Sequence, residues 1–510
     1  MRLHRSPCFA LLVTLLPLSA IACGSVESSP PPAPVDAGAD GTGLNDSAGG
    51  DDTAAPPVDA TPEAPADTAP VCDDSAVTPP DAGPVTCLIK PPPPPSGDAG
   101  VADTGPTGAI STVYPAFPLD PPQLINLGGR ILDRMQIVPI TWSGDADAAK
   151  LEDFTDKIGG STYWNSVTCE YGIGPATVGA CNHVHMTEPL SPTFSQDDAD
   201  AFVSKNASNW ETSGWPKPNK ETIYVLYLPP SVDLQIAGRG GSGSACAQGV
   251  GGYHTSAVLK DGTKVAYAVL PRCSFFGPEL ETTTSSASHE LAEAATDALP
   301  GMRSDPGSPA YRGFDDAHIA WTAFQVLQTE NGDICEFYAD SFYRNAELGY
   351  QVQRTWSNAS IAGGHAPCVP ADPAPYFNAT PLDLGFVSFT FPAALGGSTV
   401  DATGINIPVG ETGSFHVGYY SDGPMDADWD LKALEGNGIP GTSPTGGPGA
   451  AFANGNLVIT VDNPHGRNGN KATVTVKVKG TDSLLGANLV TLVSTSKGLK
   501  HYWPVLVTSN

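Results

Sequence analysis

Apolar and polar residues change their spacing several times along this chain, and each change marks an element. The run Met135-Gln136-Ile137-Val138-Pro139-Ile140-Thr141-Trp142 reads as a first strand. A helix is expected over Asp147 to Ile158, and another over Asp197 to Ser204 with Ser195 as its cap. Strands follow at Thr222 to Leu228 and Val265 to Leu270. Strands alternating with helices indicate a mixed α/β (α+β) domain, placed at residues 110–370. A further helix carries Ser288-His289-Glu290-Leu291-Ala292-Glu293-Ala294-Ala295-Thr296-Asp297 and ends before Pro300-Gly301. After Cys368 the pattern shortens: Leu457 to Val461, Ala472 to Val478 and Leu489 to Val493 alternate or run apolar between Gly, Asn and Asp. Residues 371–510 are therefore expected to form an all-β, immunoglobulin-like sandwich.

The N-terminal pattern differs. Arg2, His4 and Arg5 precede an apolar run from Phe9 to Ala22, the arrangement of an export signal and too short for a stable spanning anchor. Leu18-Ser19-Ala20-Ile21-Ala22-Cys23 reads as a bacterial lipobox, with Ala20 where Leu is usual. Residues 1–23 would then be a lipoprotein signal peptide and Cys23 the lipidated first residue; the alternative is an ordinary cleaved signal and a free Cys23. With Gly24 next, an outer-membrane or cell-surface location is expected. Residues 24–109 are Pro, Ala, Asp, Gly and Thr, with Asp-Ala-Gly recurring at Asp36, Asp81 and Asp98 and a proline run from Pro91 to Pro95. Such a stretch buries no core and is expected to be a disordered, extended tether.

Charge removes one class of partner. The 510 residues hold 25 Lys plus Arg against 54 Asp plus Glu, a formal charge of −29, and no basic patch, so nucleic acid finds no electrostatic footprint. Export implies an oxidising compartment, and the cysteines agree. Beyond Cys8 and Cys23 there are four sequence-local couples: Cys72 with Cys87, Cys169 with Cys181, Cys246 with Cys273, and Cys335 with Cys368. Eight cysteines allow on the order of a hundred pairings, of which neighbour pairing is the favoured one.

The helix at His289 is where residue types and spacing describe chemistry. His289 and Glu293 stand one turn apart and could hold one ion, with Glu290 beside them as a base. His-Glu-x-x-Glu is similar to the zinc-hydrolase pattern His-Glu-x-x-His, with a glutamate for the second histidine. The competing reading is a solvated face: Leu291, Ala294, Ala295 and Ala298 form an apolar stripe opposite His289, Glu290, Glu293, Thr296 and Asp297. Exposed like charges at this spacing cost only about 0.2–0.5 kcal/mol. Buried, two carboxylates about 4 Å apart would repel by roughly 4 kcal/mol at an effective dielectric of about 20, which calls for a proton or a divalent ion.

Ile140 to Gly144, Ser161 to Trp164, Tyr171-Gly172, Cys246 through Gly251-Gly252-Tyr253-His254, Tyr267 to Cys273 and the His289 helix, within Ile140 to Cys368, together resemble the EXORDIUM or phosphate-induced protein family, and more closely its microbial relatives. In the microbial relatives the helix is followed by Thr-Asp-Pro and later by Glu-x-Gly-Asp-x-Cys. This chain has Thr296-Asp297-Ala298, a departure at Ala298, and then Glu330-Asn331-Gly332-Asp333-Ile334-Cys335 intact. The resemblance implies a zincin-like domain and an extracellular role.

Glu330 or Asp333 would bring the third ligand that a catalytic zinc needs. The competing reading is a turn, since Asn331-Gly332 is a strong hairpin dipeptide. An oxygen-rich ligand set would also suit manganese or calcium. His183-Val184-His185 places two imidazoles on one strand face as a weaker candidate for a second metal, and His254 follows a glycine pair that permits close approach. His318, His365, His416 and His501 have no partners in sequence. Ser285, Ser286 and Ser288 lack a Gly-x-Ser-x-Gly elbow, which argues against a serine hydrolase. The expected function is a lipid-anchored surface metallohydrolase of peptidase type. The alternative is a non-catalytic protein of adhesion, glycan binding or signalling.

Overall fold

Five strands build the first sheet, in the order Val184–Met186, Gln136–Trp142, Thr222–Tyr227, Lys264–Leu270, Tyr253–Val258. The first four run parallel and Tyr253–Val258 is an antiparallel edge. The inner strands are apolar at nearly every position because both faces are covered. Ile137, Ile223, Val225 and Tyr227 pack with Leu151, Phe154 and Ile158 of helix Ala148–Ile158 and with Leu291, Ala294 and Ala295 of helix Glu279–Thr296. Alternate residues Val138, Ile140, Tyr224 and Leu226 face the other way, onto Ala199, Val203 and Ala207 of helix Gln196–Ser208. Ser195 caps that helix as expected: its hydroxyl accepts from Asp198 N–H while the Asp198 carboxylate accepts from Ser195 N–H.

The computed structural model describes Cys87 and residues 108–177, 183–238, 241–275, 277–300, 309–326, 329–393, 397–442 and 449–509. The expected signal peptide, the lipidation at Cys23 and nearly all of the tether lie outside these residues. Helix Glu279–Thr296 carries the expected Ser288–Thr296 stretch and extends upstream of it through Thr282-Thr283-Thr284-Ser285-Ser286. Some hydroxyls of this helix fold back, Thr283 Oγ1 donating to Glu279 O at 2.7 Å and Ser288 Oγ to Ser285 O at 2.7 Å, while those of Ser285 and Ser286 are buried without a hydrogen-bond partner. Every residue from Thr282 to Thr296 is buried. The solvated-face reading of this helix is therefore overturned, since the sheet covers its apolar stripe and loops of the same domain cover its polar one.

Beyond residue 376 two sheets form a β-sandwich. One is ordered Phe377–Pro381, Thr412–Ser421, Lys471–Val478, Leu457–Val461; the other Gly385–Thr390, Thr399–Asn406, Leu499–Thr508, Asn488–Ser496, Trp429–Glu435, His465–Gly466. All neighbours pair antiparallel except Thr399–Asn406 with Leu499–Thr508. The sandwich and the α/β part share one core. Trp321 stacks edge-on to Trp503 with centroids 5.7 Å apart, and Tyr338 to Tyr502 at 5.6 Å. Residues ahead of the first sheet also reach the sandwich, Ser111 N–H donating to Asn468 O at 2.7 Å.

Two expected disulfides form, Cys246–Cys273 and Cys335–Cys368. Neighbour pairing fails for the others: Cys169 joins Cys87 across 82 residues, which rules out the Cys72–Cys87 and Cys169–Cys181 pairs. Cys72 and Cys181 lie outside the described residues. The three disulfides among the described residues fit an oxidising compartment.

Candidate metal centre

One helical turn brings His289 Nε2 to 3.1 Å from Glu293 Oε1. The turn Glu330-Asn331-Gly332 and the short helix Asp333–Glu336 close over them, with Asp333 N–H donating to Glu293 Oε1 at 3.0 Å and Asp333 Oδ1 3.9 Å from His289 Nε2. The approach requires glycine at 332, where a Cβ would stand 2.8 Å from both Glu293 Oε1 and His289 Nδ1. On the other ring nitrogen, His289 Nδ1 lies 3.0 Å from Gln353 Oε1. Gln353 Nε2 donates to Gly332 O at 2.7 Å, so its Oε1 faces the ring as an acceptor. Nδ1 must then carry a proton, which leaves Nε2 as the nitrogen facing the carboxylates and the one a metal would take in exchange for its proton.

A second imidazole enters from the edge strand. His254 Nδ1 lies 3.2 Å from Glu290 Oε2 and 3.5 Å from Glu293 Oε2, and its Nε2 is 3.2 Å from the Asp297 carbonyl. The two oxygens of Glu293 thus face different histidines. Two ligand-competent groups result, His289 with Glu293 and Asp333, and His254 with Glu290 and Glu293, each with donor atoms within 4.8 Å of one another.

Burial makes this crowd costly. His289, Glu290 and Glu293 are 1%, 2% and 3% exposed. Burial, joined for Asp333 by the Glu293 charge and for Asp297 by Glu330, holds the carboxyls of Glu290, Asp333 and Asp297 above their ordinary range. Burial would lower both histidines, but Glu293, Glu290 and Asp333 around His289, and Glu330, Glu290 and Glu293 around His254, hold them well above their usual value. Burial also opposes ionisation of Glu293, yet the flanking imidazoles keep it below the carboxylate range. Glu330 Oε1 and Asp297 Oδ2 are buried without a hydrogen-bond partner. Crowded acids around an oriented imidazole could hold a divalent cation, so the two ligand groups fit a metal ion.

Of the expected site residues, His289, Glu290, Glu293 and Asp333 converge. Glu330 belongs to neither ligand group; its N–H donates to Asp333 Oδ2 at 3.1 Å and its Oε1 lies 3.8 Å from Arg312 Nε. Asn331-Gly332 makes a buried turn into a helix rather than a surface hairpin. Gln353 carried no signal in the sequence, and His254 only the Gly251-Gly252 pair before it. That signal has a physical basis, since a Cβ on Gly252 would stand 3.1 Å from Glu290 Cγ.

No family model matches this chain, and neither does any curated protein. Solved structures give weak likenesses. Domains 4 and 5 of the S-layer protein SbsC are 16% identical over 28% of this chain and 84% of theirs, with a TM-score of 0.14. A titin M10–obscurin-like 1 immunoglobulin complex is 11% identical over 26% of this chain and 95% of its own, with a TM-score of 0.13. Scores this low carry no argument about function.

Proposed function

We propose that this chain is an exported, surface-anchored metal-dependent hydrolase acting on peptide bonds through a zincin-like α/β domain. The observation that carries the reading is the Gln353-fixed His289, whose Nε2 faces Glu293 and Asp333 in a buried pocket of acids. His289, Glu293 and Asp333 would hold the ion. Zinc fits better than calcium because a second imidazole, His254, adjoins the group. When bound, such an ion supplies Lewis acidity toward a carbonyl and toward water. Glu290, its carboxylate beside His254 Nδ1, is placed to take up a proton and pass it on, and burial raises its basicity for that task. A peptide substrate is proposed from the similarity of His289-Glu290-x-x-Glu293 to the zinc-hydrolase pattern. Lipidation at Cys23 and residence at the cell surface belong to the same proposal.

Elemental analysis of the purified protein, followed by peptide hydrolysis with and without a chelator, tests this reading. Glu290→Gln should keep the metal and lose turnover; an active Glu290→Gln protein would remove Glu290 as the base. The near-complete burial of His289, Glu290 and Glu293 favours a second reading, a structural metal in a non-catalytic surface protein of adhesion, glycan binding or signalling. Under that reading the metal is present, chelation lowers Tm, and no peptide is cleaved.

A further inference from the structure

At the opposite edge of the first sheet, a separate set of side chains converges that the hydrolase reading does not use. The short strand Val184–Met186 pairs with Gln136–Trp142 so that His185 lies beside Thr141, and His183 projects on the same side two residues earlier. Helix Ala148–Ile158 lies against this edge and supplies Glu152 and Asp156, one turn apart. His183 Nδ1 is 3.6 Å from Glu152 Oε2, and His185 Nδ1 is 3.4 Å from Glu152 Oε1.

We infer that Glu152, His183 and His185 form a second, independent site for a divalent transition ion, zinc by its ligand chemistry. Three observations carry it. The separations of 3.4 and 3.6 Å are long for charge-assisted hydrogen bonds, which run about 2.7–2.9 Å. The 3.4 Å separation matches two ligands each about 2.0–2.1 Å from one tetrahedral zinc, which stand about 3.3–3.4 Å apart, and one ligand atom from each of the three residues lies within 4.8 Å of the others. Two of the three inner ligands are oriented by an outer partner: His183 Nε2 lies 2.8 Å from Asp156 Oδ1, and Thr141 Oγ1 donates to Glu152 Oε1 at 2.6 Å. With Nε2–H directed to Asp156, His183 turns the lone pair of Nδ1 toward Glu152, the carboxylate–histidine–metal arrangement. Finally, the Glu152 side chain is 12% exposed, and among the described residues its ion pairs are with these two histidines and no lysine or arginine. A carboxylate so enclosed lacks a permanent positive charge unless a cation sits between it and the rings.

Two imidazoles and one carboxylate suit zinc, copper or nickel over calcium or magnesium. The His185 side chain is 62% exposed, so a fourth position opens to water and the ion can enter. The site clasps a three-residue edge strand to the helix that follows its neighbour in sequence.

Zinc equilibrium dialysis on the full chain tests this independently of hydrolysis. The parent should bind two zinc ions, His289→Ala one, and His183→Ala/His185→Ala one, while Asp156→Asn should keep the stoichiometry and weaken one site by about 10-fold or more. If the His289 centre takes no zinc, the parent binds one ion and the double variant none, which supports the clasp and sinks the first site. A double variant that binds as much zinc, as tightly, as the parent overturns the clasp. Should that variant not fold, carbethoxylation of the parent decides: zinc should slow modification of His185 at least 10-fold, and an unchanged rate refutes the site.

Discussion

Gln353 holds His289 from the side away from the carboxylates, its Oε1 3.0 Å from His289 Nδ1. The contact spans 64 residues of sequence and decides which nitrogen faces Glu293 and Asp333. A histidine free to carry its proton on Nε2 would be a poor ligand; one held this way is preset.

Gln353→Leu should therefore leave the fold in place and weaken zinc binding by about 10- to 100-fold. Competition against a chromophoric chelator reads the affinity directly. An unchanged affinity would mean that His289 needs no help in choosing its tautomer.

The third ligand separates by substitution. Asp333 lies in a ligand group with His289 and Glu293, whereas Glu330 points toward Arg312. Asp333→Asn should cost about 10-fold or more in metal affinity, and Glu330→Gln should change it little. The reverse order, by the same competition assay, would reassign the ligand.

Gly332→Ala places a methyl 2.8 Å from Glu293 Oε1 and His289 Nδ1. Neither atom can retreat without breaking the contacts to Asp333 N–H or Gln353. Overpacking of this kind costs about 1–3 kcal/mol, and the metal should be lost with it. Thermal unfolding with and without a chelator should show a lower Tm for the variant and no further fall on chelation.

Stability should also fall in mild acid because of His501. Burial against Tyr376 and Phe377 pushes its pKa down to about 4, with its Nδ1 2.6 Å from Phe377 O. The unfolded chain binds a proton at this residue near pH 6.5, whereas the folded one does not until about pH 4. The contribution is thus complete above about pH 6.5 and is lost as pH falls toward 4, reaching about 3 kcal/mol at the lower end. Denaturant titrations should find this slope in the parent and a flatter one in His501→Gln.

Much of the centre was legible because its core is local. His289, Glu290 and Glu293 need only helical spacing to meet, and the strands beneath them announce themselves by apolar runs. What failed to show were partners joined by tertiary contact. Gln353 sits in an unremarkable Gln-Val-Gln strand, and His254 in a short polar-looking edge strand whose burial comes from its neighbours. The threonine and serine run ahead of His289 carries poor helix propensity, and burial with the hydroxyl-to-carbonyl bonds of Thr283 and Ser288 outweighs that preference. Local arithmetic misled with Cys169 for the same reason: its partner Cys87 is distant in the chain and near only in the fold.

That crosslink has a mechanical meaning if the chain is anchored through its N-terminus. Tension arriving from upstream of Cys87 crosses the sulfur bridge to Cys169, at the end of helix Thr162–Thr168, and bypasses the residues between. The strand Gln136–Trp142, on which the histidine-bearing helix rests, would thereby be spared the pull, and the spacing of His289, Glu293 and Asp333 would hold still under load.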